Sequence, residues 1–375
     1  MAIIVQKFGG TSVNTPEKRS RVLEVIAAAK QKGYDVVVVV SAMGRKGEPY
    51  ATDTFLDLLK GIGPEADPRT MDLLTSCGEI ISACLVAHAL EQRGIKARPL
   101  TGYQAGIITN NCYTNAEIQN INPEKLMKIL KEGFVAVVAG FQGINADSDI
   151  CTLGRGGSDT TAIALGGALQ AERVEIYTDV PGVAFTDPRI LPEAPYLKKI
   201  SFEPLYLMSR AGAKVIHHRA VETAINFRMP FYVKSTFTDD EGTLIGQKGE
   251  NFGGLYGIAV MKEVCCLQTK KEDTVGYWRH QAVDELFYQN SASGAFVVAQ
   301  MPSDCTGIAS AEACALLTVL WEHGSGVNAN SIDRVLEKKG MTLLGFFPLI
   351  AGGAWAVKPE QAQDAVRAIY EAYLK

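Results

Sequence analysis

The stretch Cys151–Ala168, CTLGRGGSDTTAIALGGA, holds an arginine and an aspartate four residues apart in a glycine-rich turn that runs into a helix. Gly154, Gly156 and Gly157 permit positive φ and close backbone approach, and Ser158 or Asp159 is placed to cap a helix predicted from Thr160 to Leu169. A helix start of this kind offers unsatisfied N–H groups and partial positive charge to a phosphate or carboxylate. Arg155 adds a planar, bidentate grip on a second anion. Asp159 would repel that anion unless a cation stands between them, so the chemistry predicts lysines at the same place.

Two lysines are candidates. Lys7 ends the apolar run Ala2–Phe8 and is followed by Gly9, Gly10, Thr11 and Ser12. Lys214 lies in Ala211–Ile216, on a helix or turn. Two lysines and a helix start suit a polyphosphate whose charge spreads in the transition state of phosphoryl transfer, with Asp159 keeping the lysines apart and oriented. No histidine lies in these glycine loops, which leaves a hydroxyl acceptor without a base. A carboxylate acceptor, with a solution pKa of about 4, needs none. Glu79, among Leu73, Leu74, Ile80 and Ile81, needs a cationic partner, either a substrate ammonium or a nearby Lys or Arg. Glu79 for an amine and Arg155 for a carboxylate together select an amino acid.

The elements that position these residues alternate strand and helix. Strands are predicted at Ala2–Phe8, Val36–Val40, Val135–Ala139, Val174–Tyr177 and Phe231–Ser235, with helices over Pro16–Lys32, Arg69–Leu90 and Ser201–Ser209. Five consecutive valines at Val36–Val40 mark a strand covered on both faces, and the small-residue loop Ser41–Gly44 follows it. The Ser41 hydroxyl either bonds a ligand or caps the next turn. Arg45–Asp67, polar and broken by Gly and Pro, reads as a flap. Thr178 and Asp179 follow one strand, and Arg189 lies in the loop beyond. This is α/β architecture with right-handed crossovers, and ligands are expected at the carboxyl ends of the strands. Neither the dinucleotide fingerprint nor the P-loop pattern occurs.

Beyond Gly246 the texture changes to a small α+β module. Strands are predicted at Gly257–Gln268, Ala295–Ala299, Leu343–Leu349 and Ala354–Val357, and amphipathic helices at Ala309–His323 and Glu360–Leu374. Trp278 and Trp321 are expected in its core.

Length and charge bound the function. The 375 residues suggest two or three domains, and a net charge of −4 without a dense basic run argues against nucleic-acid or anionic-membrane partners. The eight cysteines form no CxxC pair, so a metal site or disulfide framework is not expected. No charged leader precedes an apolar stretch, and no apolar run approaches the roughly 20 residues of a membrane helix, so the expectation is a soluble cytoplasmic protein.

Seven segments, taken in order, resemble one family. VQKFGGTSV (Val5–Val13), VVVVSAMG (37–44), SCGEIIS (Ser76–Ser82), TLGRGGSDTTA (Thr152–Ala162), TDVPGV (Thr178–Val183), TDPR (Thr186–Arg189) and GAKVIHHRA (Gly212–Ala220) are similar to the motifs of aspartate kinases, of the amino-acid kinase superfamily. The resemblance implies a three-layer αβα fold over residues 1–246 and an ACT-like regulatory and dimerising region over 247–375. It implies transfer of the γ-phosphoryl group of ATP, with Mg2+, to the side-chain carboxylate of L-aspartate. The product, 4-phospho-L-aspartate, opens lysine, threonine and methionine biosynthesis.

Carried over by position, Lys7 and Asp159 are the catalytic pair. Thr11, Ser12, Ser41, Glu79, Arg155 and Ser158 bind aspartate, while Gly9, Gly10, Thr178, Asp179, Arg189 and Lys214 bind the nucleotide. Small-molecule partners and a homodimer or higher homo-oligomer are implied. The chain departs from the pattern at His217-His218, where the family commonly has His-Pro, and in its tail, which matches ACT domains in element order only. The alternatives are a sister kinase for another acidic substrate, or a weakly active amino-acid or nucleotide sensor.

Overall fold

The first strands, β1 (Ile3–Phe8) and β2 (Asp35–Val40), are buried along almost every residue, which a sheet tolerates only when helices cover both faces. In the computed structural model, which describes residues 2–269, 285–291, 294–300 and 311–375, that is the arrangement. Trp278 and Cys305 lie outside the described residues.

The chain divides into two compact units. The first takes residues 1–183, 197–202 and 215–248, and the second takes 184–196, 203–214 and 249–375. After β1 the chain forms α1 (Gly10–Val13) and α2 (Pro16–Gln31), and after β2 it forms α3 (Thr52–Ile62) and α4 (Pro68–Glu91). There follow β3 (Ala97–Leu100), β4 (Ile107–Thr109), β5 (Ile118–Ile121), α5 (Glu124–Lys131), β6 (Val135–Ala139), β7 (Gln142–Ile144), β8 (Ile150–Thr152), α6 (Gly157–Ala168) and β9 (Arg173–Thr178). The series continues with β10 (Lys199–Ile200), α7 (Phe202–Arg210), which falls largely in the second unit, α8 (His218–Phe227), β11 (Phe231–Ser235) and β12 (Thr243–Ile245).

One sheet runs β10-β12-β11-β9-β1-β2-β6-β3, and a smaller one runs β5-β4-β7-β8. In the large sheet β11, β9, β1, β2, β6 and β3 are parallel, with β12 antiparallel to β11. Val22, Leu23 and Ile26 of α2 and Ala83, Val86 and Leu90 of α4 pack on one face against Ile4, Val36, Val38 and Val137. On the other face α6 lies across β1, β2 and β9 with α8 beside it. The result is three layers, αβα. Because the central strands are parallel, their carboxyl ends share one edge, and the loops after Phe8, Val40, Ala139 and Thr178 leave from it.

Three expectations change here. The flap expected over 45–67 contains α3, an 11-residue helix without a fully buried side chain; its amphipathic pattern was obscured by the Gly and Pro on either side. The helix α4 has 24 residues and passes the length and composition test for a membrane span, contrary to the reading that no apolar run comes near it. Half of its most apolar stretch is buried inside the unit, and its inner face carries Asp72 and Glu79, so it is a core helix here. The cap of α6 is neither Ser158 nor Asp159 but Gly156, at φ 74°. The helix therefore starts earlier, and Asp159 falls in its first turn, where a carboxylate meets the positive end of the helix.

Among its described residues the second unit holds a six-stranded antiparallel sheet, ordered β14-β15-β13-β16-β18-β17. Its strands are β13 (Leu255–Thr269), β14 (Glu285–Ser291), β15 (Gly294–Gln300), β16 (Ala311–Trp321), β17 (Leu343–Leu349) and β18 (Gly352–Val357). The predicted helix at Ala309–His323 is thus strand over 311–321. Cys314–Leu320 is buried at every position between β13 and β18, so no period-2 alternation marks it. The helices Ala329–Lys338 and Ala362–Leu374 cover a core around Leu317, Val319 and Trp355, and Trp321 packs 6.3 Å from Trp355, ring centre to ring centre. The first of these helices, absent from the sequence reading, opens on a capping box made by Asn328 and Ser331.

Candidate active site

Lys7 is the last but one residue of β1, and its side chain points to the α6 face, where its Nζ stands 2.6 Å from Asp159 Oδ1. Both side chains are nearly withdrawn from solvent, so water screens the pair little. They form the floor of a cleft of about 540 Å³ lined also by Gly10, Ser41, Ala42, Arg45, Glu79, Arg155 and Ser158. Every lining residue belongs to the first unit.

The glycine turn is built as its composition predicts. Gly154 and Gly156 have φ of 70° and 74°, a region that side chains avoid. A Cβ at Gly156 would stand 2.5 Å from the His217 Cβ, so glycine is required there for space as well. Arg155 sits between them, exposed, on the wall of the cleft. Arg219 ties the turn down, donating to the Leu153 carbonyl and to Asn115 Oδ1 at 2.5 Å each, and to the Ala116 carbonyl at 2.9 Å. Burial pushes the His217 imidazole down to about 4, helped by His218, Arg219 and Arg155, so it backs the turn as a neutral ring.

Glu79 comes from α4 on the opposite layer and is 3% exposed. Its Oε1 accepts from the Ala42 N–H at 2.9 Å, while Oε2 is buried with no hydrogen-bond partner. Among the described residues no Lys or Arg forms an ion pair with it, although the Lys7 charge acts on it across the cleft. Burial pushes its carboxyl up to about 8, against the opposing pull of the Ala42 N–H and the Lys7 charge. The cleft thus carries a carboxylate that gains most from a cation supplied by a ligand.

The other sequence candidates fall into three groups. Ser41, Ser158 and Gly10 line the cleft with the pair. Gly10 must be glycine, because a Cβ there would meet the Ala42 carbonyl oxygen at 2.2 Å. Gly9 caps α1 beside it, and a Cβ there would reach the Lys7 Nζ at 3.8 Å. Thr11 and Ser12 are not on the cleft wall; Ser12 is fully buried with its hydroxyl 2.7 Å from Thr236 Oγ1. At the next strand end, the Thr178 hydroxyl donates to Asp179 at 3.2 Å, and Asp179 pairs with Arg45 at 2.9 Å. Arg189 and Lys214 belong to the second unit, where Arg189 is paired with Asp187 at 2.6 Å.

Several residues of the site escaped the sequence reading. Arg45, Thr52, Asp53 and Leu56 line the cleft from the segment taken for a flap. Thr114 and Phe141 line it at positive φ, 65° and 71°, values that cost side-chain-bearing residues free energy. Asp72, fully buried on α4, accepts three hydrogen bonds behind the wall. Phe141 follows the strand Val135–Ala139, in a run of glycine, aromatic and amide residues at Gly140–Gly143.

The Amino acid kinase family profile matches residues 2–235. Aspartokinase 1 of Bacillus subtilis is 47% identical over 271 residues, covering 70% of this chain and 67% of the relative. The aspartokinase of Mycolicibacterium smegmatis is 49% identical over 246 residues, 65% of this chain and 57% of that protein. The chain thus spans 57 to 67% of the length of these relatives. Among solved structures, E. coli aspartokinase III in complex with aspartate and ADP aligns over 98% of this chain and 99% of that one, with a TM-score of 0.79 at 23% identity, a likeness of fold. Aspartate kinase from Synechocystis aligns over 99% of this chain and 69% of that one, with a TM-score of 0.59 at 30% identity.

Proposed function

This chain belongs to the amino acid kinase family and, within it, to the aspartokinases, and from that premise we propose that it transfers the γ-phosphoryl group of ATP to the side-chain carboxylate of L-aspartate. One observation carries the reading: the Lys7–Asp159 pair shares a single cleft with a buried glutamate whose second oxygen has no partner. A carboxylate oxygen of the acceptor forms a bond to the γ-phosphorus as the bond to the bridging oxygen of ADP breaks. No proton has to move, which fits a cleft without a histidine on its wall.

In this reading Lys7 faces the charge that builds on the transferring phosphoryl group, and Asp159 holds the lysine in place from the first turn of α6. The α-ammonium of aspartate meets Glu79 Oε2, and its α-carboxylate meets Arg155, with Ser41 and Ser158 beside them. Gly9, Gly10, Thr178 and Asp179 serve the nucleotide on the strength of the family resemblance. Mg2+ would be held chiefly by the phosphates of the nucleotide, as the family resemblance implies. When bound it neutralises phosphate charge. The same reading makes 1–246 the catalytic domain and 247–375 an ACT-like regulatory and dimerising region. It places the enzyme at the entry to lysine, threonine and methionine synthesis, in the cytoplasm.

The test is an ADP-release assay with hydroxylamine trapping of the acyl phosphate, run on aspartate, glutamate and N-acetylglutamate and repeated with added lysine, threonine and methionine. Aspartate-dependent ADP release with trapped aspartyl hydroxamate is expected. ADP release that prefers glutamate, or binding without any trapped product, contradicts it.

A further inference from the structure

We propose that Asp72 is a positioning residue that sets the distance between the two ends of the acceptor pocket, a role that rests on the aspartate reading of the cleft. Asp72 is fully buried on the inner face of α4, seven residues before Glu79 and therefore on the same side of the helix two turns away. Its Oδ2 accepts the backbone N–H of Thr114 and of Thr152, each at 2.9 Å, and its Oδ1 accepts the Thr152 hydroxyl at 2.6 Å. Thr152 ends β8 and leads directly into Leu153, Gly154 and Arg155. Thr114, held at φ 65°, lines the cleft itself.

One carboxylate thus joins three segments: the helix that carries Glu79, the strand end that launches Arg155, and the turn that forms the wall near them. The three donors satisfy it without a cation, since among the described residues no Lys or Arg pairs with it. Burial pushes the Asp72 carboxyl up, while the bonds from Thr152 and Thr114 pull it back and favour the charged form. An apolar residue of the same size would leave the Thr114 and Thr152 N–H groups without this acceptor, so the position calls for a side-chain oxygen. By accepting from both segments at once, the carboxylate also fixes the geometry between α4 and the glycine turn. If Glu79 grips the ammonium of the acceptor and Arg155 its α-carboxylate, slack in this joint misplaces one relative to the other.

The test compares Asp72→Ala, Asp72→Asn and Thr152→Val with the unsubstituted protein in steady-state kinetics and backbone hydrogen exchange. Asp72→Ala is expected to raise the KM for aspartate at least tenfold while the KM for ATP stays within twofold. Asp72→Asn, which keeps an oxygen for the two N–H groups, is expected to recover most of that loss. Thr152→Val, which removes only the hydroxyl, is expected to raise the KM for aspartate by a smaller factor and serves if Asp72→Ala does not fold. Exchange in residues 110–116 and 150–158 is expected to quicken in Asp72→Ala and Thr152→Val whether or not substrate is present. Unchanged exchange in those loops, or KM values for both substrates rising together, overturns the proposal. Loss of the aspartate reading alone shows differently: the unsubstituted protein fails to turn over aspartate while the exchange effect persists.

Discussion

Lys7 Nζ and Asp159 Oδ1 meet at 2.6 Å, one from the carboxyl end of β1 and the other from the first turn of α6. The contact joins the middle layer of the fold to an outer one at the point where the parallel strands end. It also accounts for an aspartate beside the proposed polyphosphate site: its charge is taken up in holding the lysine.

The pair therefore belongs to turnover more than to stability. Lys7→Ala and Asp159→Ala are each expected to lower kcat by about a hundredfold or more, in the range of losing one preorganised electrostatic contact. Thermal melts are expected to change far less than turnover, because each side chain keeps an edge on the open cleft, from which water can reach the partner left behind. Variants that are unfolded at room temperature contradict this assignment.

Glu79 predicts a dependence on pH with a definite sign. Its carboxyl, pushed up to about 8 by burial, is protonated in the folded protein over a range in which the unfolded chain is ionised. The stability it contributes is thus complete below the ordinary glutamate value and is lost as pH rises toward 8. Glu79→Gln cannot ionise, so its Tm is expected to exceed that of the unsubstituted protein at pH 8.5 and to converge with it near pH 5. Acceptor binding follows the opposite trend: the KM for aspartate falls as pH rises toward 8, and Glu79→Gln raises it at least tenfold and flattens the profile. Equal melting curves at both pH values refute the burial argument.

Gly10 is set against the backbone of the loop that Glu79 holds. A methyl there meets the Ala42 carbonyl at 2.2 Å, and backbone cannot swing aside as a side chain does. Gly10→Ala is expected to cost about 1–3 kcal/mol of stability, typical of overpacking, and to weaken acceptor binding through the displaced Ala42 N–H. Urea unfolding and the KM for aspartate are the measurements. A variant with unchanged midpoint and unchanged KM shows that the loop yields freely.

Arg155 lies on the cleft wall between two glycines at positive φ. Its planar fork suits a carboxylate in a way that an ammonium does not. Arg155→Lys is expected to raise the KM for aspartate by about tenfold, the scale of one charge-assisted hydrogen bond, and Arg155→Ala by more. Restoration of full affinity by lysine argues for a diffuse charge effect instead.

Much of this was legible in the chain. The valine run Val36–Val40 and the glycines Gly154 and Gly156 carry their structural reasons locally, in burial on both faces and in positive φ, and both are found as expected; Gly157, also expected to permit positive φ, is instead the first residue of α6. Lys7 was legible because a lysine ending a buried strand beside two glycines has few other uses. What stayed hidden depends on partners far along the chain. Asp72 reads as an ordinary acid near the start of a helix until Thr152 arrives from the end of β8 and Thr114 from the turn between β4 and β5. Arg219 looks like a surface arginine until the turns at Asn115 and Leu153 meet it. Strand β16 was read as a helix because burial on both faces erases the alternation that tells a strand from a helix.

The most direct measurement of the central claim is the fate of oxygen from the acceptor. L-aspartate labelled with ¹⁸O in its side-chain carboxylate is turned over with ATP, the acyl phosphate is cleaved with hydroxylamine, and the released phosphate is weighed by mass spectrometry. If the side-chain carboxylate attacks the γ-phosphorus, the trapping step breaks the carbon–oxygen bond and each phosphate carries one ¹⁸O beside an equivalent of aspartyl hydroxamate. Unlabelled phosphate formed along with ADP means that water, not the carboxylate, receives the phosphoryl group, and contradicts the account.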